Sequence, residues 1–217
     1  MSAAPLPEPP RVPLMPTRRP GLVGAFIHAW QGLVHCVARQ RNMKVHVVSG
    51  VLVGCVGSAI PLGLAEKVTL IFCVMLVFFA EVVNTALEAL VDLHTEDFKD
   101  LAKIAKDTAA AGVLVLSIGT AVIFAAILVN DWPSVSSHPA EVYRQFLFGI
   151  PLATLGGLLA WRRAGLKWLD PFALAGALAL WAVTLRWTTS PVFSAMIAGL
   201  VTLQAAAALE LRWLRRA

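Results

Sequence analysis

Long apolar runs separated by short polar interruptions fill the chain from residue 47 onward, and each run is close to the length of a membrane-crossing helix. The first covers 47–64 and leaves through Pro61 and Gly63. Glu66 and Lys67 form a short turn, and the second run covers 68–93. A polar stretch, HTEDFKDLAKIAKD, precedes the third run at 108–129. Residues 131–144, rich in Ser and Pro, read as an extracytoplasmic loop. Beyond it, in a segment taken as 145–217, come apolar runs at 146–161, 172–185 and 192–209 with almost no charge inside. Ahead of all of these, 21–41 reads as an amphipathic helix. Leu22, Phe26, Trp30, Leu33, Val34 and Val37 fall on one side, and His28, Gln31, His35 and Arg39 elsewhere. It is too polar to span and suits a position in the interface plane. The predicted architecture is an all-α, polytopic membrane protein. An interfacial helix leads into three spans, with about three more transmembrane helices behind them.

The second run carries the departure from this pattern. Glu81, Asn84, Glu88 and Asp92 follow one another at spacings of three, four and four, so on a helix they make one polar stripe. A carboxylate at bilayer depth costs about 2.5–3.5 kcal/mol on insertion scales. Several on one face indicate a protein-lined site for cations or protons. The plainer reading is a helix–helix seam glued by polar contacts.

Composition supports the membrane reading: the chain is 58% hydrophobic and 14% charged, with a mean hydropathy of +0.74. Soluble domains run at about 45–50% apolar and about 25% charged. Residues 1–20 are Pro-rich without an apolar core, and read as a disordered cytoplasmic tail rather than a signal segment. Cys36, Cys55 and Cys73 are scattered and read as packing residues. The net charge of +5 belongs to topology and not to nucleic acid. With six spans and the N-terminus inside, Lys67, Arg144 and Arg186 lie outside, and the rest of the 18 Lys and Arg lie inside. That bias puts both termini in the cytoplasm. It also orients the stripe, with Glu81 deepest and Glu88 and Asp92 nearer the cytoplasmic surface.

A carboxylate at depth can take a proton from a lipid hydroxyl. Carboxylates at the interface can hold magnesium together with substrate phosphates. Lys106, arriving on the next cytoplasmic segment, can stabilise phosphate charge. These parts suit phosphoryl transfer to a membrane lipid. No GxxxxGK[ST] loop and no protein-kinase motif set is present. A proton or ion pathway, or a non-catalytic membrane scaffold, is the reading from another class. Against a pathway, the outer half of the second run, VTLIFCVMLVFFA, is dry. His46, in the basic segment QRNMKVH, is a candidate proton carrier; the plainer reading is a solvated interfacial histidine.

EVVNTALEALVDL at 81–93 and AKIAKD at 102–107, with RNMKVH at 41–46 and WQG at 30–32, resemble the signature of the small bacterial membrane lipid kinases. These are the prokaryotic diacylglycerol kinase and undecaprenol kinase family. The resemblance covers about 22–130, so the kinase domain is taken as 21–130. LVDL, LAKIAKD and the RNxxxH form look nearer the undecaprenol kinase branch. The resemblance implies ATP-dependent phosphorylation of a lipid alcohol, undecaprenol first and diacylglycerol as the alternative, in the bacterial inner membrane.

By position, the resemblance implies that Glu81 is the general base and Glu88 a magnesium ligand. Lys106, Asp107, Asp97 and Lys99 would serve ATP, together with Glu88 and Gln40. Asn84, Asp92, Asn42 and Lys44 would support the site. A homotrimer with shared sites is also implied. One position departs: where the family commonly has a second metal-binding glutamate, this chain has Gln40, whose amide oxygen can coordinate but brings no charge. Residues 145–217 match no family motif. Every candidate site residue precedes Asn130, so the expectation is a kinase module that works without the later spans.

Overall fold

The computed structural model describes residues 21–93, 99–161 and 170–213. The N-terminal tail, Asp97 and the Arg162–Arg163 pair therefore lie outside the described residues. Every regular element among those described is helical. In order they are α1 (Leu22–Arg39), α2 (Arg41–Ala59), α3 (Leu64–Asp92), α4 (Lys99–Asn130), α5 (Trp132–Ser137), α6 (Pro139–Trp161), α7 (Asp170–Thr184) and α8 (Pro191–Trp213), with a single 3₁₀ turn, Leu185–Trp187, after α7.

Five of these, α2, α3, α4, α6 and α8, are long and apolar enough to cross a membrane. The sixth expected span, α7 with its 3₁₀ turn, is apolar but shorter. The protein is an integral membrane protein of all-α class. At about 1.5 Å per residue, the 29 residues of α3 reach roughly 43 Å, beyond a hydrocarbon core of about 30 Å. Its polar end can therefore emerge into the interface.

Several boundaries differ from the sequence expectation. The expected cytoplasmic segment before the third span and the span itself are one 32-residue helix, α4. The first span starts earlier, at Arg41, because the polar turn RNMKVH is already helical and buries Met43 completely. Residues 131–144 are not an open loop: α5 and the start of α6 occupy them. Pro133 and Pro139 stand in the first turns of these helices, where a missing N–H breaks no helical bond.

Residues 21–32 form a unit of their own, with Leu22, Phe26 and Trp30 exposed along one side. Residues 33–217 form the other unit. Within it α3 and α4 are an antiparallel pair, and α2 packs against α3, α6 and α8. Ile60 to Gly63 turn the chain between α2 and α3, and the Glu66 carboxylate folds back over Gly63 at the N-terminus of α3. That position suits the helix dipole.

The packing of α2 follows from three small residues on one face. A Cβ at Gly50, Gly54 or Gly57 would lie 3.0 Å from Leu200, 2.7 Å from Ile197 and 2.5 Å from Phe193, respectively. Large residues of α8 thus fill the groove that the glycines leave, as small-residue seams do in membranes. On another side, Cys55 lies against Gly149 of α6. Val37, Met43, Val47 and Val51 share one buried cluster with Leu152 of α6, Ala177 of α7 and Ile197 and Ala207 of α8.

Candidate active site

On α3 the buried positions Leu70, Cys73, Val74, Val77, Glu81 and Asn84 recur at helical spacing and define its inner face. The polar stripe continues that face toward the C-terminal end of α3, and its exposure is graded. Glu81 is 1% exposed and Asn84 3%. Glu88 is half-buried and Asp92 open. One continuous helix therefore carries a carboxylate from apolar surroundings to water.

The inner end of the stripe holds unsatisfied groups. Glu81 Oε2 and Asn84 Oδ1 are buried without a hydrogen-bond partner. Such orphans are uncommon in folded proteins and point to a missing proton, ligand or water. Thr85 donates its hydroxyl to the Glu81 carbonyl at 2.8 Å, and its Oγ1 meets the Cys36 Sγ at 3.2 Å. Burial pushes the Cys36 thiol above its ordinary range, with smaller upward contributions from Glu81 and Glu88. It is a neutral packing group here, not a thiolate ligand. Thr85 was not singled out from sequence, although its place four residues after Glu81 puts it on the same face.

One turn outward the amides converge on Glu88. Asn84 Nδ2 donates to its Oε1 at 3.1 Å, and Gln40 Nε2 donates to its Oε2 at 3.2 Å. Gln40 is the single residue between α1 and α2, with extended backbone at φ −85° and ψ 124°. The elbow between these helices thus delivers Gln40 to Glu88 from 48 residues away. Turning either amide over would present its oxygen to a cation beside the carboxylate. Among the described residues no cluster of three or more His, Cys, Asp or Glu could hold a metal ion by itself. A single carboxylate with amide oxygens is still sufficient for magnesium that arrives on phosphates.

At the C-terminal end of α3, the Lys106 ammonium donates to Asp92. Lys106 also lines a cavity of about 350 Å³ between α3 and α4, with Leu87, Val91 and Ala109. The structure therefore brings Glu81, Asn84, Glu88, Gln40, Asp92 and Lys106 onto one path. It does not bring all the candidates there. Lys99 and Asp107 are exposed on α4, Asn42 is exposed at the start of α2, and Lys44 is half-buried one turn into the same helix. At membrane depth a second cavity of about 230 Å³ opens between α2, α3 and α4. Its walls include Val74, Val77, Phe78 and Phe124, with His46 and Thr120 as polar members. Val77 lies one turn from Glu81, and His46 is half-buried against this cavity.

Comparison with known proteins bears on this arrangement. The sequence model of the family "Prokaryotic diacylglycerol kinase" matches residues 27–128. A protein of Bacillus subtilis named undecaprenol kinase is 32% identical over 99 residues, covering 46% of this chain and 80% of its own length. The chain belongs to this family. A Synechocystis protein named diacylglycerol kinase is 37% identical over 111 residues, 51% of this chain. The chain spans 63% of that relative's length. The Escherichia coli diacylglycerol kinase is 27% identical over 107 residues and is covered to 88%. No solved structure matches the chain. The family match ends at 128, so α5 to α8 lie beyond it.

Proposed function

We propose that the protein transfers the γ-phosphoryl group of ATP to the hydroxyl of a membrane lipid alcohol. The observation that carries this reading is the graded stripe of α3. A fully buried carboxylate with an orphaned oxygen, Glu81, stands about two turns before a half-buried carboxylate, Glu88, that collects Gln40 and Asn84. Membership of the kinase family supports the same chemistry.

In this reading the lipid enters from the bilayer with its chain along α2, α3 and α4, where the cavity by Val77 and Phe78 suits a hydrocarbon segment. Glu81 accepts the hydroxyl proton as the oxygen attacks the γ-phosphorus. A lipid phosphate monoester forms and ADP leaves. Glu88, with the Gln40 amide oxygen, would hold magnesium on the ATP phosphates; bound there, the ion neutralises charge that builds up on the transferring group. Lys106, held at the open end of the stripe by Asp92, is placed to meet the phosphates as they arrive from the cytoplasm. By the family resemblance, Asp107, Lys99 and Asp97 would serve the nucleotide as well, and Asn42 and Lys44 would support the site. The excess of Lys and Arg in the segments taken as cytoplasmic favours both termini inside.

The preferred acceptor is undecaprenol, on the forms LVDL, LAKIAKD and RNMKVH. Diacylglycerol is the second reading, favoured by the relative at 37% identity that bears that name. A homotrimer suits α4. Val113 is its single fully buried residue among those described, so much of its apolar surface is left for lipid or a neighbouring copy. The test is phosphorylation with labelled ATP in mixed micelles, offering undecaprenol and diacylglycerol in parallel. Label in undecaprenyl phosphate at the higher kcat/KM is expected. Preferential labelling of diacylglycerol would replace the acceptor and keep the chemistry, whereas label in neither lipid would remove the kinase reading.

A further inference from the structure

We infer that α6 to α8 form a clamp that positions the kinase site, rather than a separable appendage. α8 grips α2 along its length and is pinned to the kinase half at both ends. At the outer end, Thr189 donates its backbone N–H to the Ser58 carbonyl at 2.8 Å. Its Oγ1 lies 3.0 Å from the same carbonyl and 2.9 Å from that of Ile60. These are carbonyls at the C-terminal end of α2, which a helix leaves without internal partners. In the middle, Phe193, Ile197 and Leu200 enter the hollows over Gly57, Gly54 and Gly50. At the inner end, Glu210 accepts from His35 Nδ1 of α1 at 2.9 Å.

These three attachments bracket the elbow. His35 lies five residues before Gln40 on α1, and Gly50 ten residues after it on α2. Val34, Val37, Ala38 and Met43, on either side of Gln40, are buried in the same cluster as Leu203 and Ala207 of α8. α8 is therefore part of the floor on which the elbow rests, and the elbow sets where Gln40 meets Glu88. Phe193, Ile197, Leu200 and Glu210 act as positioning residues: they hold α1 and α2 so that Gln40 reaches the carboxylate that would take the nucleotide's magnesium. The nucleotide half of this inference rests on the kinase reading above; the mechanical half does not.

The test uses the full-length protein and the seam between α2 and α8. The three atoms nearest a Cβ at Gly54 all belong to Ile197 and Met196 of α8. Gly54→Leu should wedge the seam open, and the exchange Gly54→Leu with Ile197→Ala should close it again by swapping knob and hole. Two readouts separate positioning from loss of fold. One is the KM for magnesium-ATP against kcat. The other is the modification rate of Cys36, which is 2% exposed beneath the elbow, in a Cys55→Ala, Cys73→Ala background that leaves it as the one thiol.

Gly54→Leu is expected to speed Cys36 modification and to raise the magnesium-ATP KM about fivefold or more, within the usual range of coupling between sites. The kcat at saturating nucleotide should stay within about twofold, and the exchange should restore both values. If Gly54→Leu does not insert stably, Glu210→Gln tests the inner pin alone, with a smaller rise in KM, about two- to fivefold, because the pair is partly exposed. Unchanged Cys36 reactivity in both variants would overturn the clamp. Faster Cys36 modification at an unchanged KM would overturn its positioning role. If the parent protein phosphorylates no lipid, the kinase reading fails by itself, and Cys36 reactivity still decides whether α8 holds the elbow.

Discussion

α2 and α4 are both spans of the kinase half, yet they live in opposite surroundings. Half of the most apolar stretch of α2 is buried inside the protein, against 6% for α4. α2 is enclosed by α3 and by two helices from beyond the family match, α6 and α8. Of the membrane-length helices, α4 packs chiefly on α3. Their glycines record the difference. Those of α2 are roofed by Leu200, Ile197 and Phe193, while a Cβ at Gly112 or Gly119 of α4 would meet nothing within 4 Å. The same residue type therefore marks a filled seam in one helix and an open face in the other. The enclosed side of α3 is also where Glu81 and Asn84 sit. On the proposed reading, the base would therefore stand on the buried side of α3.

The largest effect that would sharpen this contrast concerns charge. Glu81→Gln should lower turnover by about 10²–10⁴-fold, the usual contribution of a general base. Glu66→Gln, at the half-buried start of α3 and fifteen residues before Glu81, should leave turnover within about twofold, as substitutions away from a site generally do. Turnover assays of both variants in the same micelles make the comparison. Equal effects would mean that burial on the enclosed side has no special role.

Next comes the seam itself. Gly57→Ala puts a methyl group into the Phe193 ring and should destabilise the protein by about 1–3 kcal/mol, read by thermal or denaturant unfolding in detergent. On the open helix, Gly119→Ala has room and should stabilise a single chain by up to about 1 kcal/mol through helix propensity. If a neighbouring copy packs closely at Gly119, that sign reverses and the oligomer weakens with dilution. Cross-linking of the purified protein would then show less of the oligomer.

A third prediction concerns the elbow that the enclosed helix carries. Gln40→Glu adds a carboxylate beside Glu88 where the neutral amide now donates a hydrogen bond. Magnesium dependence of turnover at fixed ATP should tighten by about tenfold, near 1.4 kcal/mol, after desolvation offsets most of the Coulomb gain. An unchanged midpoint would mean that position 40 does not face the metal in the working enzyme.

The stripe on α3 was legible because its residue spacing states a helical face without any knowledge of neighbours. Helix class and span order were legible for the same reason, since apolar length alone sets them. Other features were hidden by local composition. Pro133 and Pro139 made 131–144 look like a loop, although proline at a helix start breaks no bond. The start of α2 at Arg41 was masked by polar residues that flank the buried Met43. The glycines at 50, 54 and 57 stand in plain view, but nothing local says which side chains fill them. The pairing of Gly54 with Ile197 joins residues far apart in the chain and belongs to tertiary packing. So does the pairing of His35 with Glu210, two groups that alone read as ordinary surface charges.

The most direct test of the account is a product balance. The full-length protein would be given labelled ATP, magnesium and undecaprenol in mixed micelles, and ADP and lipid phosphate would be counted together. The account predicts one lipid phosphate monoester per ADP, with both falling to background in Glu81→Gln. ADP formed without labelled lipid, or lipid phosphate still made at the parent rate by Glu81→Gln, would contradict it.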